Sequence, residues 1–280
     1  KRQFYLNATF RKLKILDDKV SKKKEDETIL GRAEYIMSEW KGLLTGNLLY
    51  ELGTGQEQRP YFIYLEVPAG TGQFAWIDYN NDGVQQLNEF ELAAFPDQAK
   101  FIRLLTPTNE YIKANYITFN YSLTITPRAL LTSPELKGIK KLLSLTSLQT
   151  SLQINKKSVS AGTFEFNPFK YDINDSALIS LDNTAVNTIS FNRYSSKWGI
   201  DLSNLRKNTQ SLLTYGYESR RLNNWIVKWR WNISRNFTFD VNGMKGVNAL
   251  YTPQFNNRNY ELNINTLEPR FTFIRKTNFR

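Results

Sequence analysis

The segment WIVKWRWNIS, residues 225–234, most constrains what this chain can become. Trp225, Val227, Trp229, Trp231 and Ile233 occupy alternate positions, and Ile226, Lys228, Arg230, Asn232 and Ser234 lie between them. Successive side chains of a β-strand point to opposite faces, so this pattern makes one face apolar and the other charged. A helix would scatter the same apolar residues around its whole circumference.

The pattern recurs. YITFNYSLTIT puts Ile117, Phe119, Tyr121, Leu123 and Ile125 on one face against Thr118, Asn120, Ser122 and Thr124. QFYLNATF, YFIYLEV, KWGIDLS, LTYGYE, FTFDVNG and YELNIN follow the same period, and 33–40 and 43–52 follow it more weakly. LLSLTSLQTSLQIN (142–155) slips phase near Ser147, which suggests a bulge. Short polar runs, SRN (234–236), RRLNN (220–224) and TLEPR (266–270), read as tight turns between antiparallel neighbours. Longer connections are expected over 68–100, 127–141, 156–186 and 244–258. KVSKKKEDE at 19–27 mixes signs and reads as a solvated turn.

Alternation also occurs in soluble sandwiches, so strand length and aromatic placement decide. Segments of about 9–11 residues match a tilted bilayer-crossing strand, against a soluble mode of about 5–6. Tyr116, Tyr121, Trp198, Tyr215, Tyr217, Trp225, Trp229, Trp231 and Tyr260 sit towards strand ends, as interfacial girdles do. The expected fold class is therefore all-β: an antiparallel up-and-down transmembrane β-barrel, closed or a fragment of a larger barrel. The apolar face would meet lipid. Lys228 and Arg230 would point into the lumen, within reach of Asp240 and Glu218. A mean hydropathy of −0.48 agrees with this, because only alternate residues face lipid.

Composition narrows the chemistry. The 280 residues contain no His and no Cys, which excludes thiolate nucleophiles, imidazole bases and the usual zinc sites. A net charge of +11 can mean nucleic acid, anionic lipid or lipopolysaccharide, or only solubility, and its dispersal through alternating segments argues against nucleic acid. No apolar run is long enough for a transmembrane helix. The stretch begins at Lys1 without a signal-peptide pattern, as expected of a mature chain or a piece of a longer one.

One motif carries chemistry. WIDYNNDGVQQLNEFE (76–91) fits the calcium-loop template D-x-[DN]-x-[DN]-G-x5-E. Asp78, Asn80 and Asp82 take the first three ligand positions and Gly83 the sharp turn. Val84 would offer its carbonyl, Gln86 a water-mediated contact and Glu89 the bidentate end. Hard oxygen donors converging on one point suit Ca2+, here as a structural clamp. Gln85 stands where a branched apolar residue is usual, PAGTGQFAW cannot form an entering helix, and an exiting helix is expected over NEFELAAF. PAGTGQ (68–73) lacks the lysine of a phosphate loop, and no local carboxylate pair suggests a glycosidase.

GQFAWIDYNNDGVQQLNEFELAAFPDQAKFIRLLTPTNEY (72–111) and the terminal LEPRFTFIRKTNFR resemble very large outer-membrane β-barrel proteins of the Bacteroidota, over roughly residues 60–280. The resemblance implies a many-stranded barrel built with partner subunits, and only Asp78, Asn80, Asp82 and Glu89 carry over to its acidic loop. Phe279 is followed by Arg280, a departure from a strand ending on an aromatic, so the piece is expected to stop inside a longer barrel or to close against other segments. Residues 1–67 and 100–280 should supply barrel strands and 68–99 an EF-hand-like excursion. The expected function is a non-enzymatic outer-membrane subunit of a protein-export or outer-membrane-protein assembly complex. Its partners would be outer-membrane lipid or lipopolysaccharide and other outer-membrane or periplasmic subunits. The alternatives are a passive porin or transporter, and a soluble calcium-dependent β-rich adhesin.

Overall fold

The computed structural model describes residues 1–16, 25–133, 135–160, 165–170, 177–213, 216–252 and 258–274. The strands are β1 (Arg2–Leu13), β2 (Asp26–Glu39), β3 (Leu44–Glu66), β4 (Phe74–Trp76), β5 (Phe90–Leu92), β6 (Phe101–Ile125) and β7 (Thr146–Val159), then β8 (Leu178–Phe191), β9 (Trp198–Leu213), β10 (Gly216–Asn232), β11 (Phe237–Tyr251) and β12 (Tyr260–Phe273). They form one antiparallel sheet in the order β1-β2-β3-β6-β7-β8-β9-β10-β11-β12, with β4 and β5 branching off β6. The fold is thus all-β and a near-perfect meander. The sheet is not closed into a barrel: β1 and β12 are its two edges, a correction to the closed form of the expectation.

Several expected turns are strand. RRLNN lies inside β10 and TLEPR inside β12. Pro269 is tolerated there because an edge strand has a free side for a residue that cannot donate an N–H. Expected connections at 156–186 and 244–258 shrink, since β7 continues to Val159, β8 starts at Leu178 and β11 continues to Tyr251. The phase slip near Ser147 is no bulge. Residues Gly138–Leu145 form α1, and β7 starts at Thr146 in unbroken register; its irregularity falls between Lys157 and Ser158. Of the charged run 19–27, residues 19–24 lie outside the described residues, and Asp26 and Glu27 open β2.

The registers align an apolar set from each of the ten ladder strands on one face. Trp229 is opposite Ile200 and Val241, and Phe239 is opposite Phe271. At the other edge Phe4 is opposite Tyr35, and Tyr35 opposite Leu48. Tyr260, Leu262 and Ile264 fall on the other face: Ile264 is opposite Gly246, and Gly246 is opposite Asn224. The apolar set of β12 on the tryptophan face is Leu267, Pro269, Phe271 and Phe273.

This apolar band runs obliquely to the ladders. Partners traced from Leu6 across the sheet are Ala33, Tyr50, Phe119, Ile154, Asn183, Asn208, Arg221, Ala249 and Glu261. Leu6 lies mid-band in β1, yet its level in β12 is Glu261, and the apolar stretch there begins only at Leu267. The band therefore slides by about ten residues over the sheet, roughly one per ladder. One residue of about 3.4 Å against a strand spacing of about 4.8 Å is a slope of about 35°. Strands in barrels tilt by about 35–45°.

No second sheet packs on the band among the described residues, and its side chains stay open: Leu6 is 73% exposed, Trp225 48% and Trp231 43%. Buried apolar side chains form two clusters among the described residues. Ile154, Leu178 and Leu181 pack with Phe119 and Leu152. Over them runs part of the β7–β8 connection, where Phe169 meets Phe119 edge-on at 5.2 Å and the Phe166 carbonyl accepts the Tyr50 hydroxyl. Lys156, buried beneath, pairs with Glu165 at 2.6 Å. The second spot lies at the far end of β3 and β6. These strands continue as a two-stranded ribbon beyond the last β2 partner, Gly53, and the last β7 partner, Ala114, to end at Glu66 and Phe101.

Candidate metal centre

Residues 67–100 fold at the tip of that ribbon. Phe74–Trp76 pairs with Phe90–Leu92, and Phe74 also pairs with Phe101. Phe74 and Phe101 are buried against Tyr64, Trp76 and Phe90. Tyr64 stacks on Phe90 with centroids 3.9 Å apart, and the Arg103 guanidinium lies 4.5 Å from the centre of the Phe62 ring. The glycines of PAGTGQ serve this packing. A Cβ on Gly72 would sit 2.6 Å from the Phe101 nitrogen and 2.7 Å from the Ala99 oxygen.

The β4–β5 pair holds the acidic loop by its ends, and the Ile77 N–H donates to the Glu89 carbonyl at 2.9 Å. Asp78, Asp82 and Glu89 each bring a carboxylate oxygen within 4.8 Å of the others. Backbone N–H groups hold the acids together: Asp78 accepts from Gly83 (2.8 Å) and Asp82 (3.2 Å), and Asp82 accepts from Val84 (2.7 Å). Gly83 takes φ +70°, a conformation glycine adopts without strain, so the chain bends there as the template requires. The Val84 N–H, and secondarily the amides of Asn80 and Gln86, hold the Asp82 carboxyl below the ordinary aspartate value.

Glu89 is 1% exposed. A buried carboxylate is costly unless it is paired or hydrogen-bonded. Here it accepts from the Trp76 indole at 2.8 Å and from the Gln86 N–H at 3.2 Å.

Of the six residues singled out, Asp78, Asp82 and Glu89 converge. Asn80 and Gln86 instead turn their amides onto Asp82, each at 2.8 Å. Val84 contributes its N–H to Asp82. The expected exiting helix is absent: Leu87–Glu89 is one 3-10 turn, followed at once by β5. Three carboxylates converging on one point fit a hard divalent cation in charge and donor type, without selecting Ca2+ over another. Trp76, the donor to Glu89, was not among the expected site residues. Its signal was the period-two pairing of Phe74 and Trp76 with Phe90 and Leu92.

The polar face behind the tryptophans carries a second cluster. A cleft of about 770 Å3 is lined by Asp201, Lys228, Arg230, Asp240, Glu268 and Arg270, among others. Lys228 is opposite Asp201, and Arg230 is opposite Asp240. Glu218 is not their partner; it lies near the start of β10 and pairs with Arg220 at 2.6 Å and Arg258 at 3.8 Å. No protein-family model matches the chain, and no curated protein or solved structure matches it.

Proposed function

We propose that this chain is a non-enzymatic part of an integral bacterial outer-membrane β-barrel, with the tryptophan face towards lipid and the Lys228–Arg230 face towards the lumen. The observation that carries this reading is the single oblique apolar band. Ten strands of about 4.8 Å spacing, averaging about 24 Å of apolar length, make a face of about 1,200 Å2. The largest apolar patch on a typical monomer is roughly 300–600 Å2. At about 25 cal/mol per Å2, leaving the whole face in water forgoes about 30 kcal/mol, more than the roughly 5–15 kcal/mol net stability of a domain. Hydrocarbon is the cover that suits a band of this height and slope.

The two unpaired edges favour a larger assembly over a ten-stranded porin, because an exposed edge is a template for further strands. Those strands would come from more of the same protein or from a partner subunit, in keeping with the resemblance to Bacteroidota export or assembly machinery. β1, β3, β7, β9 and β11 end at one rim, which carries the 67–100 excursion, and β2, β6, β8 and β10 end at the other, which carries the 126–145 connection with α1. Outer-membrane barrels carry longer loops on the cell-surface side, which puts the acidic loop outside the cell. There it acts as a calcium-held brace on the ribbon tip.

Reconstitution into vesicles of brominated lipid tests the membrane reading: strong quenching of tryptophan fluorescence is expected, and none would sink it. Mass spectrometry of material co-extracted with the chain in mild detergent tests the assembly role; extraction free of any partner would leave the porin reading.

A further inference from the structure

Just beyond the apolar band, towards the rim that carries the 67–100 excursion, the tryptophan face turns polar and basic. Arg206 is opposite Asn223, Arg221 is opposite Asn208, and Lys245 is opposite Trp225. All three cations are exposed, and none has a carboxylate partner among the described residues. Other charges near this rim are paired. Lys207, on the opposite face, lies 3.5 Å from Asp182, and Arg220 and Arg258 share Glu218. The nearest acid by register on the tryptophan face is Glu261, two strands from Arg221.

The floor between these cations is built. Asn204 is 5% exposed and donates to the Asn223 Oδ1 at 3.0 Å, fixing the surface between Arg206 and Trp225. Arg206 and Arg221 are diagonal neighbours on adjacent strands, about 7–8 Å apart. Side chains of that length can close on one phosphate from two sides, and the guanidinium fork favours such bidentate contacts. Trp225 stands at the lower border, where an indole marks the junction of hydrocarbon and headgroups.

We propose that Arg206, Arg221 and Lys245 form a binding site for a phosphorylated lipid headgroup of the outer leaflet. The proposal rests on the outer-membrane reading, which orients this face towards lipid. Acyl chains lie along Val227 and Trp229, the phosphate sits between the two arginines, and Lys245 takes a second anionic group. The asparagine floor offers hydrogen bonds to sugar hydroxyls.

The test uses the full chain in detergent micelles, with bisphosphorylated lipid A and its dephosphorylated form as probes and native mass spectrometry as the readout. The wild-type chain should retain the phosphorylated form about tenfold more strongly, as charge-assisted contacts to phosphate imply. The triple variant R206Q, R221Q, K245Q should lose that preference, and K228Q on the opposite face should keep it. A triple variant with undiminished preference overturns the site. Complete displacement by millimolar inorganic phosphate also overturns it, because it assigns a plain anion site. Quenching by brominated lipid without any phosphate preference removes this site alone, whereas absence of quenching removes the membrane reading beneath it.

Discussion

The ten-stranded sheet and the 67–100 excursion solve the same problem in opposite ways. The excursion covers its own apolar side chains: Phe74 and Phe101 are buried among Tyr64, Trp76 and Phe90. Its polar groups satisfy one another over short sequence distances, from Trp76 to Glu89 and from Val84 to Asp82. The sheet covers little of its apolar face. Its order comes from long ladders, and its apolar band stays largely open among the described residues. One region carries its environment within it, and the other is defined by the environment it needs.

The largest expected effect breaks the sheet side of that contrast. Val227→Arg places a cation in the middle of the band and should cost about 2–4 kcal/mol of stability in a bilayer. The companion Lys228→Gln, one residue along and on the other face, should cost far less. Urea titration of the reconstituted chain checks both, and equal costs would mean that the two faces share one environment.

Trp76→Phe probes the excursion. It keeps the ring and removes the indole N–H from buried Glu89, an expected loss of about 1–3 kcal/mol. Local stability alone should fall: hydrogen exchange at 74–92 should speed up by about tenfold or more, since about 1.4 kcal/mol is tenfold. Amides of β9 to β11 should keep their protection. Global destabilisation would join the two regions into one cooperative unit.

The double variant Asp78→Ala, Asp82→Ala removes two of the three converging carboxylates and should weaken calcium binding by at least about tenfold, roughly 1.4 kcal/mol. Titration calorimetry of both chains measures this. Equal, negligible heats in both would leave the loop as a hydrogen-bonded turn with no ion.

How much of this was legible in the sequence follows from the range of each interaction. Period two is local, so the apolar faces of β6 and β10 could be read directly from Ile117–Ile125 and Trp225–Trp231. Strand ends were misjudged where both faces are polar. RRLNN lies beyond the apolar band, where neither face demands apolar residues, and a paired strand there looks like a turn. At 142–145 the apolar Leu-Leu-Ser-Leu belongs to α1, and its period merged with that of β7. The open edges and the oblique band depend on partners far apart in sequence, and alternation within one segment says nothing of register. In the loop, the spacing of Asp78, Asp82 and Glu89 anticipated the convergence of their carboxylates. The helix expected over NEFELAAF came from the template's usual setting, and the β4–β5 pairing replaced it. The aromatic knot beneath was hidden because Tyr64 and Phe101 come from the ribbon on either side.

The smallest expected effect concerns the acid response of the loop. Hydrogen bonds from the Val84 N–H, and then from Asn80 and Gln86, favour the ionised Asp82 carboxylate and lower its folded value. A group lowered on folding contributes stability that is fully present above its unfolded value and is lost as pH falls through its folded one. The loop should therefore stay intact through the ordinary aspartate range and loosen only at lower pH, while the sheet amides show no matching change. The side-chain carboxyl 13C shift of Asp82 should titrate below that of an unstructured aspartate, and Val84 amide protection should fall with it. Asn80→Ala should raise the Asp82 midpoint only part of the way, because the Val84 N–H, the larger contribution, is untouched. A midpoint at or above the ordinary aspartate value in the parent chain would mean that neither these hydrogen bonds nor a bound cation holds the carboxylate ionised.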